Sequence, residues 1–411
     1  MDPTATRSAE SPPGRPDGGG GRRLPLLDVL RGTAILGTLG TNVWIFAAPG
    51  AEAGLLFDGA AIAPAAAALA DPSLGTVLEA AVRFAANGKF LAMLTLLFGV
   101  GLAIQYRSAT QRGRAWPGTY PRRALFLFAE GTVHFTLVFA WDVLMGYAVT
   151  ALLVAWLLAR TERARRIALW TAAVVHTVLI ALITGAQFLV VGLGTGTGGA
   201  SGPPADVVGL YAEGGYLAQI AFRLNHLALL RIEPVLSFAL MVVLFLVGVR
   251  LFRAGAFGGD EAARRIRARL MAWGLGLGLP LNLATTLAGD AFFFADRYLA
   301  APLLAVGFIG LIGWAMDRVR RPGALITGLS SLGRTALSGY VLQNVLCMLA
   351  CYGFGLGLAS RLAGTGPWWV LGLWAAVCLV LLTASTLWLR RFRHGPLEAV
   401  QKWTLARFPE R

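Results

Sequence analysis

Residues 298–316 read YLAAPLLAVGFIGLIGWAM and contain no charged side chain. Asp296-Arg297 precedes this stretch and Asp317-Arg318 follows it, so charges return at both of its ends. A helix needs about 20 mostly apolar residues to cross the hydrocarbon core of a bilayer. The stretch therefore predicts a membrane-spanning helix.

The composition extends this interpretation to all 411 residues. Apolar residues make up 56% of the chain, charged residues 14%, and the mean hydropathy is +0.65. Soluble domains contain about 25% charged residues. We therefore predict an all-α polytopic integral membrane protein, a helical bundle whose partner is the lipid bilayer, and exclude a water-soluble enzyme.

Ten stretches are long and apolar enough to be membrane spans. They are residues 24–47, 88–106, 123–140, 143–159, 167–192, 234–252, 270–288, 298–316, 335–358 and 367–389. Placing the 36 basic residues on alternate sides puts 29 on one side and 4 on the other, with three in or beside spans. Basic residues concentrate in cytoplasmic loops. The pattern predicts ten transmembrane helices with both termini cytoplasmic.

The net charge of +15 would suggest nucleic-acid binding in a soluble protein. Here the basic residues lie between apolar spans, so we predict no nucleic-acid partner. The three cysteines all lie within apolar stretches, and no Cys/His cluster has the spacing of a zinc site. Neither a disulfide framework nor a metal site is predicted.

The spans divide the chain into five parts. These are a disordered cytoplasmic tail (1–22), an N-terminal membrane half with five spans (23–192), an outer loop with an amphipathic helix (193–233), a C-terminal membrane half with five spans (234–396) and a cytoplasmic tail (397–411).

Ionisable residues within the spans are candidates for function, because a charge at bilayer depth costs at least about 2.5–3.5 kcal/mol. Glu130 and His134 lie one helical turn apart in the third span, and Asp142 follows just beyond it. A lone histidine often serves only as a hydrogen bond between helices. Two carboxylates nearby in sequence favour a functional site for His134.

Other candidates have simpler structural interpretations that stay open. Asp28 and Arg31, three residues apart in the first span, either form a site with Asn42 or merely neutralise each other. Lys89, at the outer mouth of the second span, either belongs to a site or extends to the interface. Gln343 belongs to a site only if it faces His134, and otherwise joins helices.

Five motifs are spread along nearly the whole chain. In chain order they are Arg23-Leu-Pro-Leu-Leu-Asp28-Val-Leu-Arg31-Gly32, Gly88-Lys89-Phe90, Glu130-Gly131-Thr-Val-His134, Arg334-Thr-Ala-Leu-Ser-Gly-Tyr340-Val-Leu-Gln343 and Arg393-His-Gly395-Pro396-Leu397-Glu398. These motifs resemble those of the YeiB/DUF418 family of membrane proteins. Two positions depart from the family pattern. Trp141 replaces the usual Gly before Asp142, and Asn344 replaces the common Ser after Gln343.

The family is grouped with the transmembrane acyltransferases, which include the acyltransferase-3 proteins and lysosomal heparan glucosaminide acetyltransferase. The resemblance implies transfer of an acyl group from a cytoplasmic thioester, such as acyl-CoA, to a hydroxyl or amine acceptor outside. The acceptor is a small molecule, a glycan or a lipid. The thioester is a cosubstrate rather than a tightly bound cofactor, and the location is the bacterial cytoplasmic membrane.

Such a reaction needs a general base, and histidine is the usual one near neutral pH. We predict His134 in this role, with Asp142, Glu130 or Asp28 orienting it as the carboxylate of a triad does.

The remaining candidates would bind substrate. Arg31, with Arg122 and Arg123, is expected near the phosphates of the donor. Lys89 or Asn42 is expected to stabilise the oxyanion that develops.

A transporter or exporter of a small amphiphilic solute is the alternative. Buried Asp, His and Lys residues also form proton or substrate paths in transporters. The spans show no obvious internal repeat, which favours the enzyme.

Overall fold

The computed structural model describes residues 24–57, 65–70, 72–193 and 202–407, and these residues form helices and connections without strands. The predicted tail 1–22, residues 194–201 of the predicted outer loop and residues 408–411 lie outside the described part. The prediction of an all-α chain is confirmed.

Each of the ten apolar stretches forms a helix along most of its length. In chain order the helices are α1 (Pro25–Ala47), α2 (Lys89–Gln111), α3 (Tyr120–Leu137), α4 (Leu144–Leu158), α5 (Glu162–Gly192), α6 (Phe238–Arg253), α7 (Glu261–Leu287), α8 (Ala301–Met316), α9 (Ala336–Cys351) and α10 (Trp368–Arg391). A π-helical turn interrupts α7 at Gly274–Gly278, and another, Asp296–Ala300, leads into α8.

Within the described residues, five helical segments are long and apolar enough to cross a bilayer. They are Leu74–Gln111, Glu162–Val190, Glu261–Leu287, Asp290–Met316 and Trp368–Arg391. The protein is therefore a membrane protein. The number of ten spans stays a prediction, because helices such as α4 and α9 are apolar but shorter.

The helices differ in how much of their surface the protein covers. In an apolar stretch of 18 residues within the segment that contains α2, 72% of the residues are buried, compared with 17% in the corresponding stretch of α5. Large apolar side chains such as Val174, Val175 and Leu182 are more than half exposed on α5. An apolar surface of this extent needs lipid rather than water as its solvent. Helix α2 is thus a central helix, and α5 lies at the periphery.

Glycine allows α1 to pack closely against a shorter helix, Ala324–Arg334. A Cβ atom at Gly32 would overlap the carbonyl of Leu329, and one at Gly333 would overlap the carbonyl of Asp28. Small residues let membrane helices approach backbone to backbone, which increases their van der Waals contact. This packing brings the start of α9 next to α1.

Further helices lie in the predicted connections and tail. They include Leu74–Ala86, Ala205–Ala212, Tyr216–Asn225 and Pro396–Ala406. The last of these occupies much of the predicted tail 397–411. Its Glu398 accepts hydrogen bonds from the backbone N–H groups of Leu337 and Ser338, at 2.8 and 3.3 Å. The carboxylate thereby satisfies free N–H groups at the start of α9.

Candidate functional site

His134 and Asp142 meet inside the bundle, where α3 ends and a short turn leads into α4. The Nδ1 atom of His134 lies 3.2 Å from Oδ1 of Asp142, and both side chains are almost fully buried. Asp142 Oδ2 accepts a hydrogen bond of 3.0 Å from the backbone N–H of Leu144, in the first turn of α4. The start of α4 therefore fixes the carboxylate beside the imidazole.

Gly131, one turn before His134, makes this approach of α3 to α4 possible. A Cβ atom at this position would lie 2.7 Å from the backbone N of Met145 and 2.9 Å from Oδ2 of Asp142. Real Cβ atoms do not come so close, so any larger residue has to displace α4 or Asp142. The Glu130-Gly131-Thr-Val-His134 motif thus provides both the imidazole and the space for its carboxylate partner.

Two amide side chains occupy the other edge of the imidazole. Nδ2 of Asn344, on α9, lies 3.2 Å from Nε2 of His134, and Oδ1 of Asn344 accepts a hydrogen bond of 3.1 Å from Asn42, on α1. With Asn344 donating, the Nε2 atom accepts and the ring proton lies on Nδ1, facing Asp142. This is the tautomer that a histidine needs in order to act as a base at Nε2.

Cavities lie on two sides of this group. A cavity of about 50 Å³ is lined by Asp142 and extends toward Glu233, Arg297 and Tyr298; we call it the Asp142 cavity. A second cavity, of about 420 Å³, is lined by Tyr340 and by arginines; we call it the arginine cavity. The hydroxyl of Tyr340 donates to Asp142 Oδ1 at 3.5 Å. Tyr340 and Asp142 therefore separate the two cavities.

The arginine cavity is lined by charged and apolar residues, with Glu398 as the acidic residue. Its basic residues are Arg31, Arg123 and Arg334, and its apolar lining includes Leu94, Leu97, Phe98 and Leu127. A neighbouring cavity of about 490 Å³ shares Tyr120 and Arg123 with it and adds Arg112, Arg114, Arg122 and Trp116. The two cavities together suit a ligand with phosphate groups and an apolar portion, because arginines bind phosphate oxygens in pairs.

The structure brings only some of the predicted site residues together. His134 and Asp142 are in contact, and Asn42 reaches His134 through Asn344. Arg31 lines the arginine cavity, as expected for a donor-binding residue, with Asp28 at 3.8 Å. Asp28 is therefore a partner of Arg31, and the carboxylate seen beside His134 is that of Asp142.

Three predicted residues make no hydrogen bond to His134 or Asp142 among those seen within the described residues. Lys89 is fully buried, and its ammonium donates to the carbonyl of Phe84 and lies 4.3 Å from the centre of that ring, so it does not contact His134. The side-chain oxygens of Glu130 and both polar side-chain atoms of Gln343 are buried and have no hydrogen-bond partner within the described residues. Asn344, rather than its neighbour Gln343, lies beside the imidazole of His134.

The sequence did not indicate a role for Tyr340 or the buried ion pair between Arg223 and Glu52. Arg223 Nε donates to Glu52 Oε1 at 2.6 Å, and both side chains are fully buried. The other oxygen of Glu52 accepts from the backbone N–H of Ala140 at 2.6 Å, and its carbonyl accepts from Trp141 Nε1 at 2.8 Å. The pair thus supports the turn that carries Asp142. Its only sequence signal was the departure at Trp141, whose indole contributes one of these bonds.

Comparisons with known proteins agree with the resemblance seen in the motifs. Residues 251–407 match the family described as "Protein of unknown function (DUF418)". The chain is 25% identical over 396 residues to "Uncharacterized protein YxaH" of Bacillus subtilis (strain 168), covering 92% of each chain. It is 28% identical over 397 residues to "Uncharacterized protein YeiB" of Escherichia coli (strain K12), covering 90% of this chain and 93% of that protein. The name of neither relative states an activity.

Proposed function

We propose that this member of the YeiB/DUF418 family of membrane proteins is an acyltransferase that moves an acyl group from a cytoplasmic thioester to a hydroxyl or amine outside. The observation that carries the proposal is the buried His134–Asp142 pair between two cavities of different character. Asp142 lines one cavity, and Tyr340, which contacts both Asp142 and His134, lines the other; this arrangement suits a reaction whose substrates come from opposite compartments.

The donor is assigned to the arginine cavity and its neighbour. Their arginines match a phosphorylated carrier such as coenzyme A, and the apolar wall of Leu94, Leu97 and Leu127 matches the acyl portion. Tyr340 lies at the inner wall, so a thioester in this cavity comes close to Asp142 and His134.

In the proposed reaction, His134 Nε2 takes the proton of the acceptor's hydroxyl or amine group. At the same time, the oxygen or nitrogen of that group attacks the thioester carbonyl. The bond between the carbonyl carbon and sulfur then breaks, and the leaving thiolate takes the proton back from His134. Asp142 holds the ring and stabilises the imidazolium between these two transfers.

Asn344 has a double role in this scheme. Its amide donates to His134 Nε2 in the structure, so the acceptor has to displace it. The displaced N–H group remains beside the reacting atoms, where it is suited to stabilise the oxyanion. Asn42 holds the amide in the matching orientation by donating to its oxygen.

A transporter of a small amphiphilic solute remains a second candidate, because two cavities on either side of a buried ionisable pair also suit alternating access. The deciding experiment incubates the purified protein in lipid nanodiscs with radiolabelled acetyl-CoA. Release of free coenzyme A with labelled product or acylated protein supports the enzyme. Intact acetyl-CoA, together with saturable solute flux in proteoliposomes, overturns it.

The proposal also requires the arginine-rich end to be cytoplasmic. Single cysteines at Ala205 and Gly113 test this, since the three native cysteines are free but buried. An impermeant maleimide should label the Ala205 variant in intact cells and leave the Gly113 variant unlabelled. The reverse pattern contradicts the proposed orientation.

A further inference from the structure

The Asp142 cavity differs sharply in size from the arginine cavity, at about 50 Å³ compared with about 420 Å³. One water molecule needs about 10–15 Å³ on this measure of volume. The Asp142 cavity therefore holds a group of about four heavy atoms, well short of a sugar ring. Whatever enters can present only a narrow end to Asp142.

The walls of the cavity are mostly apolar. Leu91, Leu240, Leu244 and Pro302 line it, from α2, α6 and α8, together with Asp142. Leu91 and Leu240 are partly exposed, so the cavity lies close to the surface between these helices. A chain that leaves the cavity on this side would pass along apolar side chains.

The other polar groups that line the cavity are largely bonded to one another. Arg297 and Tyr298, in the π-helical turn before α8, donate to Oε1 of Glu233 at 2.9 and 2.7 Å. The hydroxyl of Tyr147 is bonded to Thr95 at 2.6 Å. A ligand with several hydroxyls would therefore bury some of them without partners, and each unpaired group weakens binding.

Gly88 helps to keep the cavity narrow. Its φ of +71° is in the left-handed region, and a Cβ atom there would lie 2.9 Å from the carbonyl of Arg297. The glycine of the Gly88-Lys89-Phe90 motif thus lets the start of α2 approach the π-helical turn. This explains the motif without a catalytic role for Lys89.

We infer that the Asp142 cavity binds a ligand through a single hydroxyl or amine on a narrow apolar chain, to the exclusion of a sugar or polyol. Neither His134 nor Asn344 lines this cavity, so the inference does not make this ligand the acceptor of the proposed acyl transfer. The cavity's preference for such a ligand is independent of that reaction, so it can be tested by binding alone.

The test uses ¹⁹F NMR on the protein in lipid nanodiscs, without any donor. The probes are 4-fluoro-1-butanol and 2-deoxy-2-fluoroglucose, and the variants are Leu240→Trp, which fills the cavity, and Leu229→Trp, which adds the same ring at an exposed position. We expect saturable broadening of the alcohol signal with the wild type and Leu229→Trp, and binding weaker by about tenfold or more with Leu240→Trp. Fluoroglucose should not bind.

The Leu240→Ala variant provides a second measurement. It does not require the fold to accept a larger side chain, as Leu240→Trp does. By enlarging the cavity, it should tighten the binding of the bulkier 4-fluorobenzyl alcohol relative to the wild type. Equal alcohol binding by all four proteins, or fluoroglucose binding that Leu240→Trp abolishes, would overturn the inference. If the alcohol binds as expected but acetyl-CoA stays intact, the cavity assignment stands and the proposed acyl transfer fails.

Discussion

Two buried ionic groups contact the same turn between α3 and α4, yet they differ in their surroundings. In the Glu52–Arg223 pair, the three guanidinium nitrogens bond to Glu52 and to the carbonyls of Thr136 and Val138. Both Glu52 carboxylate oxygens are also bonded, and neither residue lines a cavity described above. In the His134–Asp142 pair, Asp142 lines a cavity and its partner Tyr340 lines another.

The difference shows that burial and charge do not by themselves identify a functional site. A buried ion pair with all of its hydrogen bonds made holds the structure together, because nothing is left to react with a ligand. A pair that borders empty space can change partners when a substrate enters. We therefore expect mutations in the first pair to affect stability and mutations in the second to affect turnover.

His134→Gln should show the largest effect on turnover. Glutamine keeps much of the size and hydrogen bonding of histidine but cannot act as a base, so the rate of acyl transfer should fall by about 10²–10⁴-fold. The thermal unfolding midpoint in detergent should stay within a few degrees of the wild type. His226→Gln, at the partly exposed residue that follows the helix Tyr216–Asn225, is the matched control and should be fully active. Full turnover by His134→Gln would remove His134 from the mechanism.

Arg223→Met should show the largest loss of stability. Removing one partner leaves the Glu52 carboxylate buried without its cation, which costs about 3–5 kcal/mol. Arg265→Met is the control, since its ion pair with Glu261 is 71% and 74% exposed and is expected to contribute about 0–1 kcal/mol. Thermal unfolding in detergent measures both. A similar midpoint for the two variants would show that the buried pair is not a structural support.

The Gly131→Ala variant should reduce both stability and turnover. The added methyl group has to displace Asp142 or the start of α4, which should cost about 1–3 kcal/mol of stability and reduce turnover without changing donor affinity. Gly185→Ala, on α5 with open space around the added methyl, should be neutral in both measurements. If Gly131→Ala is also neutral in both, the close approach of α3 and α4 does not position Asp142.

Arg31→Lys should have the smallest effect. The charge is kept but the paired hydrogen bonds to a phosphate are lost, so we expect donor affinity to weaken by about tenfold at most. Equilibrium binding of radiolabelled acetyl-CoA gives this number, with Arg320→Lys as the exposed control. An unchanged affinity, together with misfolding of Arg31→Ala, would indicate that Arg31 serves only as the partner of Asp28.

Much of the fold was predictable because membrane helices depend on local composition. A run of about 20 apolar residues forms a helix in lipid wherever it lies in the chain, since its backbone groups must bond within the segment. The ten helices accordingly match the ten apolar stretches in position. The helix Ala324–Arg334 was missed because its polar and small residues resemble a loop, and only its contact with α1 shows its place in the bundle.

Candidate residues were predictable to the extent that they share one helix or one turn. Glu130, His134 and Asp142 lie within 13 residues of each other, and their spacing indicated a site. Their roles were not readable, because the side of the helix that a residue faces depends on its neighbours. Asp142 faces the imidazole, whereas the Glu130 carboxylate has no hydrogen-bond partner within the described residues.

The sequence by itself determined that this protein is helical and lies in a membrane, and it singled out His134 as a buried histidine with carboxylates nearby. These properties follow from local hydropathy and from the cost of charge in lipid. The tertiary structure alone decided that Asn344 rather than Gln343 meets the imidazole, that Arg223 pairs with Glu52, and that Asp142 lines one cavity while its partner Tyr340 lines another. Each of these contacts joins residues far apart in the chain, and helix packing rather than local composition brings them together.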